Sequence, residues 1–69
     1  MRANLIAARK GAGLTQSQVA AKIGVGLRMY QRMESGTREG RGVWWDRLET
    51  LFGKPQSVLR ENTTITVAD

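Results

Sequence analysis

The sequence predicts an all-α protein: one domain of five short helices followed by a short extended C-terminal tail. Three observations carry this expectation. Apolar residues recur at three- and four-residue spacing through most of the chain. Helix starts and stops are marked by a threonine cap and a series of glycines. The chain has 69 residues and no cysteine. It is too short to bury much surface and has no disulfide to help, so helices with local contacts are the economical solution. The expected division is a domain over 1–61 and a tail over 62–69.

Residues 3–12 are rich in alanine and leucine and read as the first helix. Gly13 suits the left-handed position just past its end. Thr15 is a good N-cap, and Gln18 three residues later completes a capping box. Leu14 can staple onto Val19. A second helix therefore runs from Gln16 to about Lys22, with Val19, Ala20 and Ile23 at helical spacing. Gly24 stops it, and Val25 points inward and staples to Tyr30. The third helix covers Leu27 to Glu34 behind a Gly26 cap, which is weaker than serine or threonine. Tyr30 and Met33 share its inner face, and Met29 packs in part.

Ser35 to Gly42 reads as a loop, with three glycines and two arginines that are expected to bury nothing. The fourth helix spans Val43 to Phe52, with Trp44, Leu48, Leu51 and Phe52 on one face and Gly53 ending it. Trp44 and Trp45 cannot both face the core, so one packs and the other is partly exposed. Pro55 opens a short fifth helix, to about Glu61, that buries Val58 and Leu59. Thr63 to Val67 alternates and is β-branched, so it reads as a strand that must pair with a second copy or a partner, or else stay disordered.

Composition narrows the function. With no histidine, no cysteine and no clustered carboxylates, no catalytic or metal site is expected, and neither is a cofactor or small-molecule ligand. Apolar runs are far shorter than the roughly 20 residues needed to span a bilayer. A signal peptide is not evident either, and the chain reads as soluble and cytoplasmic. The net charge of +5 is unevenly spread. Residues 1–42 carry eight basic and two acidic side chains, whereas 43–69 carry three and four. A basic half points to a polyanionic partner.

Two short helices joined through a glycine turn form a helix-turn-helix layout. Close crossing requires a small residue, which Ala20 supplies. The turn requires positive φ, which Gly24 supplies. The run Leu14-Thr15-Gln16-x-x-Val19-Ala20-x-x-Ile23-Gly24-Val25, followed by Tyr30-x-x-Met33-Glu34-Ser35-Gly36, resembles the phage repressor and Cro (XRE-type) helix-turn-helix family. Leu48-Glu49-x-Leu51-Phe52-Gly53 is similar to that family's fourth helix. The resemblance covers about residues 3–61. It implies a five-helix, lambda-repressor-like DNA-binding domain in a transcriptional regulator, and the small size suggests phage or prophage origin.

With Tyr30 and Met33 inside, Leu27, Arg28, Gln31 and Arg32 are left on the outer face of the third helix. The N-terminal part of such a helix meets base edges in the major groove. Arginine can grip guanine bidentately, glutamine can address adenine, and leucine can touch a thymine methyl. The resemblance further implies backbone phosphate contacts from Gln16 and, in the loop, from Ser35, Arg38 and Arg41. It also implies a structural ion pair between Arg9 and Glu34. Two departures from the family pattern stand out: glycines replace the proline common in the loop, and Gly26 replaces the usual polar cap.

The resulting expectation is a DNA-binding regulator, not an enzyme, acting on double-stranded DNA as a homodimer over half-sites about 34 Å apart. The alternative is an interaction module of the same fold that works through a partner such as a toxin, recombinase or repressor. In that case Trp44, Trp45 and the tail would matter most.

Overall fold

The computed structural model describes residues 1–62, which form five helices and no strand. Of the tail expected over 62–69 as a pairing strand or disordered, residues 63–69, including the strand expected at 63–67, lie outside the described residues. The helices are α1 (Ala3–Gly11), α2 (Gln16–Ile23), α3 (Leu27–Ser35), α4 (Gly42–Phe52) and α5 (Gln56–Leu59).

Local sequence accounts for the start of α2. Thr15 is extended, and its hydroxyl accepts from the Gln18 amide at 3.1 Å while Gln18 Oε1 accepts from the Thr15 amide at 2.8 Å. This reciprocal box satisfies two amides that no helical carbonyl can reach. Gly24 ends α2 at φ 77°. A side chain there would be strained, and its Cβ would lie 2.9 Å from Arg47 Nη1. That guanidinium donates to the Ile23 carbonyl at 2.8 Å and so caps α2 from α4.

The core is one cluster: Leu5 and Ala8 from α1, Val19, Ala20 and Ile23 from α2, Tyr30 and Met33 from α3, Trp45 and Leu48 from α4, and Leu59 from α5. Leu14, Val25 and Met29 pack against it in part. α2 lies against α3 and α4, while α1 bridges α3 and α5.

Three expectations need correction. Trp45, not Trp44, joins Leu48 in the core and is fully buried, whereas Trp44 is half-buried. Position 45 is three residues before Leu48, as compatible with a helical stripe as position 44. The choice is made by distant partners, because Trp45 Nε1 finds the Glu39 carbonyl at 2.7 Å. The last helix ends at Leu59 instead of continuing to Glu61, and Val58 on it is exposed. Finally, the 35–42 loop does not simply hang in solvent. Gly40, at φ 78°, lies so close to the core that an added Cβ would sit 3.0 Å from Met33 Cε.

Candidate nucleic-acid interface

Helix α3 has two chemically distinct faces. Tyr30 and Met33 are fully buried and Glu34 nearly so. Leu27, Arg28, Gln31 and Arg32 are exposed, spanning the whole outward side of the helix. Burying the apolar residues fixes the rotation of α3 about its axis, and that rotation turns both arginines out.

A hydrogen-bonded chain joins the buried end of this helix to its surface. Arg9 Nε donates to Glu34 Oε2 at 2.6 Å, and Arg9 Nη2 reaches Oε1 at 3.5 Å. Arg9 also donates to the Leu14 carbonyl at 3.0 Å. Gln16 Nε2 donates to Glu34 Oε1 at 3.0 Å, and Gln31 Nε2 donates to Gln16 Oε1 at 3.2 Å. The pair therefore links α1 to α3, and Gln16 carries the link to Gln31 on the outer face of α3. Hydrogen bonding to Glu34 raises the Arg9 pKa further, against the opposing effect of burial. Tyr30 lies beside this carboxylate with its hydroxyl buried, close enough to Glu34 to be perturbed by it but forming no hydrogen bond of full geometry. Burial, and then Glu34, push that phenol well above its usual range.

The residues expected at phosphates lie in two places. Gln16 opens α2 and is half-buried, its side-chain amide engaged by Glu34 and Gln31. Ser35 donates its hydroxyl back to the Arg32 carbonyl at 3.0 Å, and its oxygen lies 3.0 Å from Thr37 Oγ1, from which it can accept. Arg38 and Arg41 are exposed on the loop, with the Arg41 guanidinium 5.8 Å from the Trp44 ring centroid. The loop thus carries two exposed cations beyond the C-terminus of α3.

Sequence reasoning missed Arg2 altogether. It is fully buried, a rare state for arginine, and its partners lie far along the chain. Nothing local marks it, since a lone arginine ahead of a helix ordinarily reads as a solvated charge. Arg60 was also missed; its guanidinium lies 5.5 Å from the Trp45 ring centroid. Among the described residues there is no metal-binding group of histidines, cysteines and carboxylates, and no helix is long and apolar enough to cross a membrane.

A helix-turn-helix family model matches residues 5–39, just over half of the chain. That segment runs from α1 through α3 into the loop. No match was found among curated proteins or among solved structures. The chain belongs to the helix-turn-helix family of the XRE type, a family of DNA-binding regulators.

Proposed function

We propose that this protein is a sequence-specific transcriptional regulator that reads the major groove with α3. The observation that carries the reading is the outward set Leu27, Arg28, Gln31 and Arg32, held at a fixed rotation by Tyr30 and Met33. Arg28 and Arg32 stand one turn apart, a spacing suited to bidentate contacts with guanines of neighbouring base pairs. Leu27, 41% exposed, offers an apolar surface to a thymine methyl.

Gln16, Arg38 and Arg41 hold the phosphate backbone on either side, and Ser35 joins them by rotating its one hydroxyl hydrogen from the Arg32 carbonyl to a phosphate oxygen. Because the Gln16 side chain already serves Glu34 and Gln31, its share comes from the backbone N–H groups at the start of α2 and from the remaining amide hydrogen. These contacts set register without reading sequence. One recognition helix spans only a few base pairs, so a homodimer over two half-sites about 34 Å apart supplies the remaining affinity and specificity.

Selection of bound duplexes from a random library, followed by fluorescence anisotropy, tests the proposal. The expected result is enrichment of two related half-sites with binding that weakens steeply as salt rises. Absence of salt-sensitive binding to any duplex overturns it.

A further inference from the structure

We infer that Arg2 is a positioning residue that sets the loop over 36–41 in the conformation its DNA contacts need. The inference rests on the reading of Arg38 and Arg41 as phosphate contacts.

The loop's own hydrogen bonds hold only its start, where the Gly36, Thr37 and Arg38 amides all donate to the Arg32 carbonyl. It carries glycines at 36, 40 and 42 and no proline, so ordering the remainder costs backbone entropy. Arg2 adds a restraint from the other end of the domain. Its Nη1 donates to the Met33 carbonyl at 2.6 Å and to the Arg38 carbonyl at 2.8 Å. Nη2 pairs with the Glu39 carboxylate, and Nε donates to the Arg60 carbonyl at 3.1 Å. The guanidinium carbon lies 5.1 Å from the Trp45 ring centroid, and that indole holds the Glu39 carbonyl. One planar fork thus ties the end of α3 to two successive loop residues.

This arrangement has a directional consequence. The Arg38 carbonyl is drawn inward to Arg2 while the Arg38 side chain stays exposed. Glu39 is 73% exposed, yet its charge is matched by Arg2, so it does not oppose a phosphate at the same loop. A lysine cannot reproduce the fork, because one ammonium cannot hold several in-plane acceptors at once.

The test uses a labelled mixed-sequence duplex about two helical turns long, the full chain, and Arg2→Lys, which keeps the charge. Folding is verified by circular dichroism, and Arg2→Met, which keeps the stem over Trp45, replaces any lysine variant that does not fold. Each phosphate contact contributes about 0.9 to the slope of log K against log salt. Arg2→Lys is expected to weaken binding severalfold and to lower that slope by up to about 1.8, the amount expected for losing two contacts. The double variant Arg38→Ala/Arg41→Ala is expected to do the same in the unsubstituted chain and to add little in the Arg2→Lys background. A folded Arg2 variant that keeps the full slope, with the loop arginines still fully effective, overturns the positioning role alone. Loop arginines without effect in the unsubstituted chain overturn the phosphate reading, and this inference with it.

Hydrogen exchange in the unsubstituted chain provides a measurement independent of any variant. The Thr37 and Arg38 amides, both bonded to the Arg32 carbonyl, are expected to be protected like α3 itself. Exchange there at the rate of a free loop overturns the clamp.

Discussion

Gln31 on the outer face of α3 donates its side-chain amide to Gln16 Oε1 at 3.2 Å, and chemistry fixes the polarity of that contact. Glu34, paired with Arg9, can only accept, so Gln16 must turn its NH₂ toward it and leave Oε1 for Gln31. Gln31, which is exposed, keeps its own Oε1 and one amide hydrogen uncommitted by that contact, the acceptor and donor that an adenine contact needs. Replacing Gln16 by alanine is expected to relax base preference at the position Gln31 faces while the domain stays folded. Selected-sequence profiles of the two proteins check this, and unchanged profiles count against the relay.

Arginines of the helix and of the loop are expected to separate by assay. Arg28→Ala or Arg32→Ala should cost about 1–3 kcal/mol on the selected site and broaden specificity. Arg38→Ala should weaken all duplexes alike and lower the salt slope by about 0.9. Anisotropy titrations on selected and mixed-sequence duplexes distinguish the two behaviours.

The Arg9–Glu34 pair is nearly sealed, with side chains 12% and 4% exposed. Glu34→Ala strands the guanidinium and is expected to cost roughly 3–5 kcal/mol, read by urea denaturation. Removing both charges with apolar residues of similar volume should cost less than the single change. A double variant as unstable as the sum of its singles would argue that the pair is not coupled.

Tyr30 is the only tyrosine, so its ionisation can be followed alone in the near ultraviolet. Its phenol is held neutral by burial, and its folded pKa lies above that of the unfolded chain. The stability this contributes is fully present below about pH 10 and is lost as pH rises above it. Tyrosinate absorbance is therefore expected to appear together with alkaline unfolding, not before it. Tyr30→Phe should be close to neutral at pH 7, because the hydroxyl makes no hydrogen bond of full geometry to lose. A free titration near pH 10 in the folded protein would contradict the burial.

Gly24→Ala is expected to lower stability by about 1–2 kcal/mol, since alanine must adopt the left-handed conformation. Its Cβ also crowds Arg47, which caps α2. Thermal unfolding should show a drop of at least about 4 °C.

The sequence by itself determined the features that depend on neighbours three and four residues apart. The Thr15–Gln18 box, the left-handed Gly24 and the division of α3 into an inner Tyr30–Met33 face and an outer arginine face are all of this kind. They follow from helical periodicity and from the unmet hydrogen bonds at helix ends, both legible locally. Tertiary structure alone decided the rest. It placed Trp45 rather than Trp44 in the core, because the Glu39 carbonyl and two arginines from opposite ends of the domain meet that indole. It turned the Gln16 side chain inward to Glu34, eighteen residues away. It also buried Arg2 against carbonyls 31, 36 and 58 residues distant, which ties a glycine-rich loop to the end of α3 and to α5. A buried cation is stable only when several acceptors converge on it, and that convergence exists only once the helices have packed.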